Sequence, residues 1–589
     1  MAEPLLPAAP AFKDGIPFSE AFQDVYHSVD GGIAQSRHVF LAGNDLPRRW
    51  AGRERFVIFE TGFGLGLNFL ATLQAWRRNP GRKLHYVAVE KHPFSLQDLR
   101  TLHARYPEVE EEAAQLHSAW PMLVPGGHRA ELEPDVVLTL FFADIKVVRD
   151  LRLSADALYL DGFAPDRNPD MWSHPTLRAV SRLAAPGATV ATWSVAAGVR
   201  SALEETGFAV EKRPGFGAKR EMLVATYRGR RNEVAVERRE RKATVVGAGI
   251  AGASVCERLC ARGWEVTLVE RHAAPAQEAS GNLAGAFHPV VTPDDSVFAR
   301  VTRAGYLAAL RTFASLRDLR WDPCGVLQLA RNGREEESQR ASIAALGLPP
   351  DYAQLVSADE ASRHAGVALP AGGVWFPGAG WVQPRSLVDA LLAACGPGLI
   401  RRFSSQMSTR PEGITILATA AAEIPHARLR RVRGQLSYLP SGAVEPPHVV
   451  VLRGGMILPP VEGICVTGAS FDLEDEDPSP RVSSHEGNLE RLARILPVPP
   501  LDPASLDGRV AFRAVARDRL PLAGHVDEST WALLALGSRG LTWASLGAEL
   551  IASMLEAEPL PVEGKLADAL APLRFMKRAG SPAKLPSRP

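Results

Sequence analysis

Short apolar runs alternate with amphipathic stretches through the first part of the chain. Phe56–Phe59, Tyr86–Val89, Val136–Phe142, Ala157–Leu160 and Thr189–Thr192 are dense in β-branched, aromatic and other apolar residues, and their length predicts strands rather than helices. Between them, apolar positions at helical spacing begin near Asn68, Leu96, Trp172 and Ala197. Such alternation predicts a mostly parallel sheet covered on both faces. A second unit of this kind opens at Ala243–Val246 and gives way to runs broken by proline and glycine: Gly434–Leu439, His448–Leu452 and Gly463–Gly468. That change of rhythm predicts a mainly antiparallel subdomain. A helical pattern returns at Ser545–Met554.

At 589 residues the chain is too long for a single core. Positions 228–242 hold seven basic and three acidic side chains and little apolar surface, a stretch that cannot bury itself. We therefore expect an α/β domain over 1–230, a charged linker over 231–242, and a second α/β domain over 243–577. The antiparallel subdomain would be inserted in that second domain over roughly 300–510, and 578–589 would be a disordered basic tail. With 46% apolar and 23% charged residues, the composition is that of a soluble globular protein. The net charge of +1 means that any nucleic-acid partner must be held by local basic patches. Cys256 and Cys260 stand one helical turn apart, yet no histidine pair or second cysteine pair completes a metal site. No metal is expected, and the cysteines read as packing residues. Neither a signal peptide nor a bilayer-spanning apolar run is present, which predicts no membrane partner and a cytoplasmic home.

Chemistry enters at the strand ends. The first run continues into Glu60-Thr-Gly62-Phe-Gly64-Leu-Gly66 and then Asn68, a strand, tight turn and helix N-terminus. Glu90 ends the next strand, where an acid can accept both ribose hydroxyls of an adenosine group, and Asp144 and Asp161 follow later strands. Any one of these acids could merely cap a turn; four at strand ends of one sheet point to a ligand site. An acid near Glu60 suits a cationic donor, where a phosphate would be repelled. This ordering resembles class I S-adenosylmethionine methyltransferases. Asp161, in Asp161-Gly-Phe163-Ala-Pro, could position an acceptor amine and take its proton. Phe163 could pack on a base or on the donor. The segment Lys212-Arg-Pro-Gly-Phe-Gly-Ala-Lys219-Arg220-Glu221 places cations beside an aromatic residue, a pattern suited to an RNA loop.

The second turn, Gly247-Ala-Gly249-Ile-Ala-Gly252, is followed about twenty residues on by Glu270, completing a dinucleotide fingerprint. Ala279-Ser280-Gly-Asn282 could cradle a pyrophosphate and ring. Arg539-Gly540-Leu541 precedes the last helix, whose N-terminus could polarise a reduced flavin. Arg513 is the first candidate for anchoring a substrate carboxylate and Arg539 the second.

Taken in order, Thr61–Phe69, Leu160–Pro165, Asn168–Trp172, Lys212–Met222, Ala279–Asn282, Trp381 and Leu536–Leu541 resemble the bacterial bifunctional enzymes that build 5-methylaminomethyl-2-thiouridine in tRNA. The resemblance implies a Rossmann-like methyltransferase domain using S-adenosylmethionine, joined to an FAD-binding domain similar to glycine and D-amino-acid oxidases. It implies two steps on U34 in the anticodon loop of tRNA: oxidative removal of the carboxymethyl part of 5-carboxymethylaminomethyluridine, then N-methylation of the amine left behind. We expect a monomer. A fused oxidase and N-methyltransferase of small free amines is the alternative, and the basic segment at 212–220 argues against it. One departure stands out: Ala420 occupies a position where such flavoproteins usually carry glycine after a strand.

Overall fold

The computed structural model describes residues 4–229, 240–406 and 413–578. These fall into two compact units. One comprises the chain up to 229 together with 556–564, and the other comprises 240–555 together with the remaining C-terminal residues.

The first unit is built on an eight-stranded sheet. Its strands are β1 (Phe56–Glu60), β2 (Leu84–Glu90), β3 (Gly126–Glu133), β4 (Val136–Phe142), β5 (Ala155–Tyr159), β6 (Ala184–Thr192), β7 (Phe208–Pro214) and β8 (Glu221–Tyr227). Their order is β7-β8-β6-β5-β1-β2-β4-β3. The five central strands are parallel, while β3, β7 and β8 run antiparallel to their neighbours. β1 has partners on both sides, so the chain reverses direction across the sheet there, and open α/β sheets bind ligands at such a switch point. Alternate residues of β1 enter different cores: Phe56 and Ile58 pack on one face, Val57 and Phe59 on the other. Burial on both faces explains why the strand reads as a continuous apolar run. The helix expected near Trp172 is two short pieces, Pro169–Trp172 and His174–Ser181, because each begins with a proline at its first turn. A small antiparallel sheet (Ala11–Lys13, Ile16–Ser19, Asp24–Val25) precedes β1.

In the second unit, a six-stranded sheet contains β9 (Lys242–Val246), β10 (Glu265–Val269), β11 (Leu399–Arg402), β12 (Ile414–Leu417), β13 (Leu522–His525) and β14 (Thr530–Leu534), in the order β11-β10-β9-β12-β14-β13. Only β13 is antiparallel to its neighbour. The unit also holds a three-stranded antiparallel sheet (Gly285–Phe287, Gly380–Val382, Trp321–Asp322) and a nine-stranded, mainly antiparallel sheet whose longest pairing is between Arg430–Leu439 and Asp507–Val515.

Four expectations about boundaries need correction. The antiparallel subdomain is not one insertion at 300–510, because β11 and β12 return to the dinucleotide sheet between its strands. Segment 556–564 lies with the first unit rather than the second, where buried Leu560 donates its N–H to Arg152 O at 3.1 Å. Lys242 opens β9 rather than ending a linker, and Arg578 closes the turn Pro572–Arg578; linker positions 231–239 and tail positions 579–589 lie outside the described residues. No helix among the described residues is long and apolar enough to cross a membrane.

Candidate active sites

A cavity of about 640 Å³ opens at the carboxyl ends of β1, β2, β4 and β5, within the size range of small-molecule sites. Gly62, Gly64, Asn68, Glu90, Asp144, Asp161 and Phe163 line it. The turn after β1 takes left-handed backbone at Gly64 (φ +51°) and Gly66 (φ +74°), conformations for which glycine carries no side-chain penalty. Gly66 is the N-cap of α1 (Leu67–Arg78) and packs on the Phe63 ring rather than facing the cavity. Glu90 accepts the Gly64 N–H and the His92 N–H, each at 2.7 Å. Its carboxylate is thereby fixed at the strand tip with lone pairs to spare. Asp144 caps the turn Ile145–Asp150 by accepting the Lys146 N–H at 3.0 Å, and it pairs with Lys91 at 2.9 Å. It is both a cap and a wall of the cavity.

Two donor-loop assignments are corrected. Glu60 does not line the cavity; it is fully buried beneath it, accepting hydrogen bonds from Asn68 Nδ2 at 2.7 Å and Tyr86 Oη at 2.9 Å. Burial, reinforced by the nearby Asp161 charge, holds its carboxyl well above the usual range, which suits a buttress better than an anionic ligand contact. Asn68 lines the cavity, but both amide hydrogens are committed. One serves Glu60 and the other Asp161 Oδ2 at 2.7 Å, while its oxygen accepts the Ser36 hydroxyl at 2.6 Å. It positions Asp161, with no donor left for a cofactor.

Asp161 Oδ1 accepts the Gly162 N–H at 2.9 Å. Burial raises its carboxyl to about 6, against lowering contributions from Asn68, Gly162 and Lys219. A carboxylate poised there can accept a proton near neutrality. Phe163 stacks on Phe22 (centroids 4.7 Å apart) and meets the edge of Tyr26 at 5.1 Å. Phe22 and Tyr26 also line the cavity and escaped the sequence reading. Lys219 donates to Trp193 O at 3.3 Å and stands 4.7 Å over its ring, with Asp24 and Asp161 close enough to act on its charge. Arg220 is exposed. The cationic loop is shorter than expected: Lys212 and Arg213 lie in β7, where they pair with Glu221 at 2.8 Å and Glu211 at 3.3 Å.

The second cavity, about 770 Å³, is lined by Gly247, Gly249, Glu270, Ser280, Asn282, Ala420, Arg513, Arg539, Gly540 and Leu541. Gly247 takes φ +106°, and a Cβ there would lie 2.6 Å from Ala418 O. Gly252 is outside the lining: its Cβ would fall 1.8 Å from Gly247 O, so its role is to bring α2 (Ile250–Cys260) close to β9. Glu270, just beyond β10, accepts the Ala248 N–H at 2.7 Å and the His272 N–H at 3.0 Å. Ser280 Oγ accepts the Ile250 N–H at 3.0 Å, binding the 279–282 turn to the fingerprint loop. Asn282 Oδ1 is buried without a protein partner, an acceptor suited to a ligand donor. Ala420 adopts φ +64°, so the left-handed backbone that glycine would favour is kept by an alanine, whose carbonyl accepts the Ala535 N–H at 2.9 Å. α3 (Gly540–Leu555) begins at the cavity wall.

Arg513 sits in strand Asp507–Val515 opposite Val432 and donates to Ser470 O at 2.9 Å. Arg539 lies over the Phe298 ring at 5.4 Å. Burial lowers both guanidinium pKa values, that of Arg539 to about 10. Among the described residues neither forms an ion pair with a carboxylate, although Asp472 acts on Arg513 from a distance. Two half-buried guanidiniums in one cavity without a carboxylate counter-ion among the described residues fit an anionic ligand. His288 lies on the same wall, its Nδ1 at 2.7 Å from Pro289 O, and burial beside Arg539 holds the ring neutral, down to about 3.

Residues 242–554 match the family of FAD dependent oxidoreductases, and residues 107–228 match a family of S-adenosyl-L-methionine-dependent methyltransferases. The second match begins beyond the glycine loop at 62–66. The tRNA 5-methylaminomethyl-2-thiouridine biosynthesis bifunctional protein MnmC of Azoarcus sp. (strain BH72) is 46% identical over 625 residues, covering 98% of this chain and 98% of that protein. The protein of the same name from Paraburkholderia phytofirmans (strain DSM 17436 / LMG 22146 / PsJN) is 46% identical over 651 residues, covering 98% of this chain and 99% of that protein. With this identity along nearly its whole length, and with both domain families in the same order, the chain belongs to the MnmC family of bifunctional tRNA-modifying proteins.

Proposed function

We propose that this chain performs two successive reactions on the wobble uridine, U34, of tRNA. The second unit removes the carboxymethyl part of 5-carboxymethylaminomethyluridine or its 2-thio form, leaving a 5-aminomethyl group; the first unit then methylates that amine. Two features together carry this reading: the uncompensated Arg513 and Arg539 in one cavity and the Asn68-held Asp161 in the other. A carboxylate substrate fits the former, and its amine product fits the latter.

In the oxidative step, Gly247, Gly249, Glu270, Ser280 and Asn282 would hold FAD, which when bound takes up the two electrons of the substrate C–H bond. Arg513, with Arg539 beside it, fixes the substrate carboxylate through charge-assisted hydrogen bonds. Water then splits the oxidised C–N unit, releasing the two-carbon fragment as glyoxylate and freeing the amine.

In the methylation step, Glu90 and Asp144 would hold S-adenosylmethionine, which supplies an electrophilic methyl group. Asp161 orients the amine and receives the proton that nitrogen loses as the N–C bond forms. Asn68 and the Gly162 N–H keep that carboxylate aimed. Phe22, Tyr26 and Phe163 supply an apolar wall that excludes water. Lys219 and Arg220 are proposed to meet the anticodon-loop phosphates. The chain is taken to act as a cytoplasmic monomer.

The test is nucleoside mass spectrometry on tRNA bearing the carboxymethylaminomethyl group. Without S-adenosylmethionine the aminomethyl nucleoside should accumulate; with it, the methylaminomethyl nucleoside should replace it. Efficient turnover of glycine or sarcosine with tRNA untouched would instead establish the small-amine reading.

A further inference from the structure

Phe471 is 61% exposed, although it stands beside the second cavity. Ala469, two residues before it, lines that cavity, and the Arg513 guanidinium lies over the Phe471 ring at 5.5 Å from its centroid. Gly434 makes room for the guanidinium, since a Cβ there would collide with it.

Hydrogen bonds pin the backbone on both sides of the ring. Ser470 donates its N–H to Gln435 O at 3.1 Å and its hydroxyl to Asp472 Oδ2 at 2.7 Å, while its carbonyl accepts Arg513 Nη2 at 2.9 Å. Asp472 pairs at 3.1 Å with Arg433, whose side chain is fully buried and also donates to Gln435 Oε1, Asp477 O and Ser479 O. Most acids that follow are paired as well: Arg481 binds Asp475 at 3.0 Å and Asp477 at 2.9 Å, and Arg431 lies 4.0 Å from Glu476. A firmly bonded loop thus presents an aromatic face to solvent next to the carboxylate anchor.

We propose that Phe471 is the platform on which the uracil ring of the wobble nucleoside stacks during oxidation, selecting a nucleoside-borne amine over a free amino acid. This rests on the reading of the second unit given above. From its carboxyl carbon to C5 of the base, the carboxymethylaminomethyl group spans four single bonds, about 5 Å when extended. A substrate whose carboxylate sits on Arg513 therefore carries its base within reach of the exposed ring beside that arginine. Stacking on an aromatic side chain needs only the π face of the base. Arg513 grips one end of the short side chain and Phe471 the other, which fixes the methylene that is oxidised between them. N-methylglycine offers only the first grip.

The experiment mixes full-length, flavin-loaded protein anaerobically with free 5-carboxymethylaminomethyluridine and follows flavin reduction by stopped-flow absorbance, which gives Kd and a limiting rate. N-methylglycine, with the amine and carboxylate but no base, is titrated in parallel through the shift of the flavin bands. Phe471→Leu should raise the nucleoside Kd about tenfold, the scale of one base–aromatic stack. Its limiting rate and N-methylglycine affinity should stay unchanged, and Phe471→Trp should restore tight nucleoside binding. Because the side chain is largely in solvent, neither substitution opens a cavity in the core. Equal nucleoside affinity in the parent and Phe471→Leu would overturn the platform and leave the oxidation reading intact. A matching loss for N-methylglycine would overturn it too, since Phe471 would then act only through the seat of Arg513. A parent protein whose flavin is reduced neither by the nucleoside nor by tRNA bearing it would overturn the oxidation reading, and the platform with it.

Discussion

Asn68 Nδ2 lies 2.7 Å from Asp161 Oδ2, and the same nitrogen lies 2.7 Å from Glu60 Oε1. One amide thus supports two carboxyls, one exposed to the cavity and one sealed beneath it. Asn68→Leu removes both hydrogen bonds and frees Asp161 to rotate. Single-turnover methylation should slow by about 10²-fold, the scale on which a small misplacement of a catalytic group acts, while oxidation by the same preparation stays unchanged.

The pH dependence follows from Asp161. With its carboxyl raised to about 6 by burial, the free enzyme has an ionised proton acceptor only above that pH. The kcat/KM for methylation should therefore climb with pH through about 6 and level off, and Asp161→Asn should abolish methylation while oxidation continues. Stability changes in the opposite sense. Asp161 holds its proton at pH values where the unfolded chain, with an ordinary carboxyl near about 3.9, has lost it. Folding is therefore favoured at low pH, and that contribution disappears as pH rises through about 6. Melting curves should show Asp161→Asn gaining on the parent as the pH is raised from acid to neutral.

Arg513 and Arg539 should trade activity against stability. Arg513→Leu should reduce kcat/KM for oxidation by about 10²-fold or more, since a half-buried charged contact is lost, with flavin content preserved. Arg539→Leu removes a half-buried guanidinium that has no ion-pair partner among the described residues. The substrate-free protein should melt higher even as oxidation weakens. A lower melting temperature with normal oxidation would assign Arg539 a structural role.

Ala420 holds a left-handed backbone at φ +64° on the cavity wall. An alanine there is strained by about 1–2 kcal/mol, and replacement by glycine gives back part of the gain by loosening the unfolded chain. Ala420→Gly should stabilise the protein by up to about 1 kcal/mol, read by chemical denaturation, with the flavin spectrum unchanged.

Much of both sites was legible because glycines and acids at strand ends have few other uses at such spacing. Gly247, Gly252 and Glu270 each meet a constraint of close backbone approach or N–H acceptance that the fingerprint encodes. Glu60 was misread because position along a strand does not say which face an end residue joins; here Tyr86 and Asn68 draw it under the sheet edge. Phe22 and Tyr26 were invisible because their partner Phe163 is far away in sequence and nothing local marks the contact. β3 and β7 went unread because their mixed polar residues, among them Arg129, Lys212 and Arg213, dilute the apolar signal at the two sheet edges. The cations of β7 were read as an RNA-binding loop for the same reason.

The most direct test of the central claim places the two reactions in series on one tRNA. Asp161→Asn and Arg513→Leu proteins are each incubated with tRNA carrying the carboxymethylaminomethyl nucleoside and S-adenosylmethionine, and U34 is analysed by mass spectrometry. The account predicts that Asp161→Asn stops at the aminomethyl nucleoside, that Arg513→Leu leaves most carboxymethylaminomethyl nucleoside unreacted, and that mixing the two restores the methylated product. Methylated product from Asp161→Asn alone, or no complementation on mixing two correctly folded, cofactor-binding proteins, would contradict it.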